Sequence, residues 1–204
     1  MEEKKQVLII RGGETFANKD DFYEYLRTVK LDPYHTSKNW RDWISWALTE
    51  THDVLVPLMP AKQNSDYVAW KIWFERHFEF IKDEPIILIG HSLGATFLLK
   101  YMSENTFPKK IAQLHFVAPY IENEPGMFLE KLYSFEFEVS KIESINGTAN
   151  EIHIWHSVDD NVVPFSNSET VYKYLPNANF HKFTDRGHFN QPAFIELLQV
   201  INNK

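Results

Sequence analysis

The sequence predicts an α/β fold: a three-layer sandwich built on a mostly parallel sheet of about six strands, with helices on both faces and no large cap domain. Two observations carry this expectation. Short apolar runs alternate along the chain with longer amphipathic ones, and strands separated by helices pair in parallel because each helix carries the chain back to the same end of the sheet. In addition, one apolar run, IILIG, closes on the motif GHSLG (90–94) and opens at once into the helical segment ATFLLKYMSE. That is a strand, a sharp turn and a helix in immediate succession.

The elements follow in order. VLII (7–10) reads as the first strand, short and β-branched, ended by Arg11-Gly12-Gly13. DDFYEYLRTVKL reads as a short helix with Phe22, Tyr25, Leu26 and Val29 on one side. In NWRDWISWALTE, Trp40, Trp43, Ile44, Ala47 and Leu48 recur at steps of three and four, one face of a helix. DVLVPLM (53–59) is the second strand, and SDYVAWKIWFERHFEFI a helix that Ser65 or Asn64 would cap. After IILIG (86–90) and its helix come the strands QLHFVAP (113–119), EIHIWHS (151–157) and NFHKFT (179–184), with SNSETVYKYL and QPAFIELLQVI as the remaining helices. The helically spaced tryptophans are read as core filler rather than as a stacking platform for bases or sugars.

With 204 residues and no Gly/Pro/Ser-rich linker or repeat, the expectation is a single domain over 1–204. A formal net charge of −7 without a basic stripe repels a phosphate backbone, which argues against a nucleic-acid partner. The absence of cysteine removes disulfides, thiolate metal sites and a cysteine nucleophile, and fits a reducing compartment. MEEKKQVLIIRGG offers only four consecutive apolar residues, too few for a secretory signal core, and no stretch approaches the roughly 20 apolar residues of a membrane span. The expectation is a cytoplasmic protein with no membrane association. No H-E-x-x-H or clustered histidine spacing indicates a metal, and no glycine-rich phosphate loop a cofactor.

GHSLG alone is a weak signal, because a serine between glycines also caps helices. Its context is that of a nucleophile elbow, where strand and helix approach so closely that Gly90 and Gly94 must lack side chains and Ser92 projects its hydroxyl. The backbone N–H of Leu93, at the helix start, can face a developing oxyanion. A serine hydroxyl needs a base oriented by a carboxylate. Of nine histidines, His35, His52 and His77 precede the elbow, His91 is fixed beside Ser92, and His115, His153, His156 and His181 fall in strands. His188, in the polar loop TDRGHFNQ after the last strand, is the candidate base. In HSVDDNVVP, Asp159 and Asp160 end a strand between elbow and histidine loop, so one of the two is the candidate acid.

These segments together resemble the α/β-hydrolases, and within them the small serine hydrolases similar to retinoblastoma-binding protein 9. IILIGHSLGA resembles the elbow, HSVDDNVVP the acid loop with its D-x-x-[V/L]-P pattern, and HKFTDRGHFNQPAF the histidine loop. The resemblance implies a cofactor-free serine hydrolase with Ser92, Asp160 and His188 as triad, Asp160 chosen over Asp159 by the register of that pattern. It also implies a second oxyanion N–H from the first βα loop, at Gly13, with Glu14 as neighbouring candidate. The substrate class implied is a small acyl compound, most simply a carboxylic ester, with thioester or amide cleavage as alternatives of the same mechanism. A non-catalytic protein-interaction module on this fold is the rival from another class. Two departures stand out: Arg11-Gly12 where many relatives carry histidine-glycine, and an apparent insertion over about 17–39. That segment starts beside the oxyanion loop, and it either borders the pocket mouth and shapes substrate access or is a surface decoration.

Overall fold

The computed structural model describes residues 4–34, 39–121 and 132–202. Six strands form one sheet: β1 (Lys5–Ile10), β2 (His52–Leu55), β3 (Ile86–His91), β4 (Ile111–Val117), β5 (Ala149–Ser157) and β6 (Asn179–Phe183). Their order is β2-β1-β3-β4-β5-β6 and every adjacent pair is parallel. All strand carboxyl ends therefore lie along one edge, where an open α/β sheet carries its site.

The helices are α1 (Lys19–Thr28), α2 (Trp40–Ala47), α3 (Tyr67–Arg76), α4 (Leu93–Glu104), α5 (Ser166–Tyr174) and α6 (Ile195–Asn202). Alternation along the strands divides the core between two faces. Leu8, Ile10, Leu88, Leu114 and Ile154 turn to one side and pack with Trp70 and Phe74 of α3 and Phe97 and Leu98 of α4. Val7, Ile9, Ile87, Ile89 and Trp155 turn to the other and meet Trp40 and Ile44 of α2 and Leu197 and Ile201 of α6. Because β3 and α4 are buried over nearly their whole length, they form the rigid centre on which Ser92 is mounted. Among the described residues no helix is long and apolar enough to cross a membrane.

Several boundaries differ from expectation for identifiable reasons. β2 ends at Leu55 rather than Met59. Pro57 and Pro60 have no N–H for a ladder, and the chain leaves the sheet to bring the Pro60 carbonyl to the Trp70 indole N–H at 2.9 Å. β4 stops at Val117 because Ala118 turns to φ 46°. The cap of α3 is Asp66, whose carboxylate accepts from the Ala69 N–H, not Ser65 or Asn64. The α3 pattern also ends earlier than read, continuing as a 3-10 turn over His77–Phe80. α1 forms where the DDFYEYLRTVKL pattern lies, capped by Asn18, but buries none of its residues fully. Phe22 and Tyr25 lean on Phe16, with ring centroids 5.4 and 5.0 Å apart, whereas Leu26 is exposed. His35 and the rest of 35–38, within the 17–39 segment, lie outside the described residues. Of the tryptophans, Trp40, Trp70 and Trp155 are fully buried, as core filler should be, while Trp46 faces solvent.

Candidate active site

Ser92 is the single residue between β3 and α4, with φ 55° and ψ −127°. For a residue with a Cβ this conformation costs roughly 1–3 kcal/mol and persists only where its surroundings enforce it. Here they do. A Cβ on Gly94 would stand 2.3 Å from the Ile10 carbonyl oxygen, and one on Gly90 would stand 2.6 Å from that of Gly94, so neither position admits a side chain. The Ser92 N–H is tied to the Val117 carbonyl at 2.9 Å. Its side chain makes no capping hydrogen bond to α4, which removes the helix-cap account of the motif. The hydroxyl instead lies 3.0 Å from His188 Nε2.

His188 follows β6 in a loop held at three points. Its neighbour Phe189 is fully buried, and the Phe189 carbonyl accepts from the Trp40 indole at 2.8 Å. Asp159 Oδ1 accepts from the Gly187 N–H and from the Ser157 hydroxyl, and that hydroxyl accepts from the Arg186 N–H. Asp159 thus braces the loop, and the carboxylate that meets the imidazole is Asp160, with Oδ2 2.8 Å from His188 Nδ1. The Asp160 side chain is fully buried and every lone pair has a donor. Oδ1 accepts from the N–H groups of Val162 and Val163, and Oδ2 also accepts from His156 Nε2 at 3.2 Å. Burial alone would raise its pKa. The hydrogen bonds from His156 and His188 outweigh burial and hold the carboxyl well below the ordinary aspartate range.

His91 contributes in a way the sequence did not reveal. The His188 carbonyl only accepts and the Arg41 guanidinium only donates, so His91 Nε2–H donates to His188 O at 3.0 Å and Nδ1 accepts from Arg41 Nη1 at 3.2 Å. Burial, with Arg41 and His188 nearby, keeps this imidazole neutral, its pKa well below the ordinary value. Gly12 was also missed. A Cβ there would sit 3.1 Å from Ser92 Cβ and 3.5 Å from its Oγ, so the first βα loop touches the serine through Gly12. Gly13 packs against Lys62 and Ser65. Among the described residues the N–H groups of Leu93 and Gly13 donate to no other group. Glu14 and Tyr25 border the same cleft, which is about 360 Å³ and also includes Gly12, Gly13, His91, Ser92 and His188. Burial raises the Glu14 pKa, an effect partly opposed by the charge of His188. A larger hollow of about 520 Å³, lined by Met102, Phe107 and Thr148, contains no histidine to activate its hydroxyls.

A parallel open sheet in this strand order, a serine on a strained elbow after β3, and an aspartate and a histidine on the loops after β5 and β6 define an α/β-hydrolase architecture. The chain matches the family model described as Serine hydrolase over residues 33–199, and it belongs to that family. Serine hydrolase RBBP9 of Rattus norvegicus is 28% identical over 166 residues, 80% of this chain and 85% of the rat protein. In three dimensions the chain is similar to the ydeN gene product of B. subtilis (TM-score 0.72, 19% identity, 97% of each chain). It also resembles a thioesterase domain from the curacin biosynthetic pathway (TM-score 0.66, 12% identity, 99% of this chain and 92% of that one). The matched family region contains Ser92, Asp160 and His188, and begins after α1.

Proposed function

We propose that the protein hydrolyses a small acyl compound, most simply a carboxylic ester, with Ser92 as nucleophile, His188 as base and acid, and Asp160 as the orienting carboxylate. The observation that carries this reading is the unbroken hydrogen-bond line from Ser92 Oγ to His188 Nε2 and from His188 Nδ1 to Asp160 Oδ2. As Oγ bonds to the acyl carbon, its proton passes to Nε2 and the carbonyl becomes an oxyanion. The N–H groups of Leu93 and Gly13 are the donors we assign to that oxyanion. The tetrahedral species then collapses, the bond to the leaving oxygen breaks, and His188 delivers the proton to it. Water repeats the sequence on the acyl-serine, giving its proton to His188, which returns it to Ser92 as the acid departs. Asp160, unable to rotate because all its acceptor sites are filled, keeps Nδ1 protonated and stabilises the transient imidazolium. Thioesters and amides fit the same steps, and among the described residues no large cap lies over the cleft, which suits a modest substrate.

A fluorophosphonate probe tests the reading directly. Labelling of the folded protein is expected, and Ser92→Ala should abolish it while lowering ester turnover by roughly 10⁴-fold or more. A folded protein that stays unlabelled, or labelling that survives Ser92→Ala, would instead favour a non-catalytic interaction module on the hydrolase fold.

A further inference from the structure

The cleft before Ser92 is cationic in a chain whose formal net charge is −7. Its charged lining consists of Arg11, Arg41 and Lys62 against Glu14 alone. Arg11 is matched at the rim by Asp42, which also accepts from the Asn39 amide. Arg41 is not matched: among the described residues it makes no ion pair, one of its nitrogens donates to the neutral His91, and its guanidinium lies 5.5 Å from the centroid of the Trp40 ring. Burial and the charge of Arg11 push its pKa down to about 10, with Asp42 only partly opposing, so the cation is poorly compensated. Lys62 makes no ion pair among the described residues either, and Arg11 Nε is buried without a hydrogen-bond partner. Burial also disfavours the charged form of the one opposing group, Glu14.

A half-buried guanidinium with spare donors, beside a strained serine and facing open space, is suited to a planar or tetrahedral oxyanion supplied from outside. Low-dielectric walls around a cleft of one sign concentrate that preference. We propose that Arg41, assisted by Lys62, is an anion-recognition subsite, so that the acyl compound cleaved at Ser92 carries a carboxylate or comparable oxyanion besides its scissile bond. This rests on the hydrolase reading above and adds the substrate's charge class.

The test compares para-nitrophenyl hemiadipate, the neutral para-nitrophenyl hexanoate, and the hexanoyl ester of para-hydroxybenzoate, each rate divided by the spontaneous rate of that ester. The first carries its carboxylate on the acyl side and the third on the leaving group, so together they locate the anion. At least one anionic ester should exceed the neutral one in kcat/KM by about 10- to 100-fold, the range of a charged hydrogen-bonded contact. That ratio should collapse in Arg41→Gln, persist in part in Arg41→Lys, fall about threefold in Lys62→Gln, and shrink with added salt. Lys62→Gln, on an exposed side chain, keeps the test open if the Arg41 variants fold poorly. Equal or better hydrolysis of the neutral ester, or a ratio unchanged in Arg41→Gln and Lys62→Gln, overturns the inference. If Ser92 is labelled by the fluorophosphonate and the ratio is near one, only this inference falls. If Ser92 is not labelled, both readings fall.

Discussion

Two histidine groups occupy the same sheet and differ in almost every physical respect. At the carboxyl edge, His188 is placed between a hydroxyl and a fully buried carboxylate, and opens on the cleft. Further back along β4, β5 and β6, His115, His153 and His181 stack on one another with Trp155. Centroids of the first two are 4.6 Å apart, and the Trp155–His181 rings lie 3.6 Å apart at 7°. There the hydrogen bonds close on themselves. The Trp155 indole donates to His115 Nδ1 and His115 Nε2 to Gln113, while His181 Nε2 donates to His153 Nδ1 and His153 Nε2 to Glu151. Burial lowers the pKa of His153 and of His181 to about 4, and that of His115 well below its ordinary value. The stack is a neutral packing device whose outer hydrogen bonds end on Gln113 and Glu151. A histidine's role follows from the charge and access of its partners, and three clustered imidazoles are not by themselves a site.

The comparison breaks most sharply at Asp160. Asp160→Asn should leave the fold intact but remove the charge that fixes His188 in its tautomer, lowering kcat by roughly 10⁴-fold. Conversely His153→Phe, which truncates nothing in the cleft, should leave ester turnover within about threefold. Steady-state kinetics on one ester checks both. Comparable losses in the two variants would mean that the two histidine groups are coupled through the sheet.

The second effect is on stability and has the opposite assignment. His153 is neutral in the folded state down to about pH 4, against an ordinary value of 6.5 in the unfolded chain. Above pH 6.5 both states are unprotonated and its contribution is complete. As the pH falls from there towards 4, the unfolded chain binds a proton that the folded one refuses, and stability drains by about 3 kcal/mol. Urea unfolding at stepped pH should show this acid loss in the parent protein, and His153→Phe should make it shallower by the share of His153, leaving the losses due to His115 and His181. Parallel curves for the two would place the acid sensitivity elsewhere.

What was legible in the sequence was what repeats or what sits in a local motif. The continuous apolar run VLII (7–10) marks a strand of a sheet covered on both faces, and its residues pack alternately into the two cores. GHSLG shows its tight approach because glycine leaves a mark in the sequence. Asp160 was separable from Asp159 only through the following valines, and the physical basis of that register is now visible: its Oδ1 accepts from the N–H groups two and three residues on. Arg41 was illegible because its partner His91 is 50 residues away and an arginine in WRDW looks like any solvated helix position. His156 read as an ordinary strand histidine, and its bond to Asp160 depends on the turn after β5 folding back. The short β2 reflects prolines whose effect depends on where the neighbouring ladder ends.

The smallest expected effect concerns Glu14, the one carboxylate on the cleft side of His188. It interacts with the His188 charge, and it also raises the pKa of Tyr25 on α1, where burial is the larger cause. Glu14→Gln removes the carboxylate charge without changing the side chain's size, so kcat at one fixed pH should change by less than about threefold. Asp159→Asn removes an acceptor for the Gly187 N–H and the Ser157 hydroxyl and should lower kcat more, because it loosens the turn that carries His188. The same steady-state assay compares the two. If Glu14→Gln costs more than Asp159→Asn, the edge histidine depends on the charge across the cleft rather than on its loop brace.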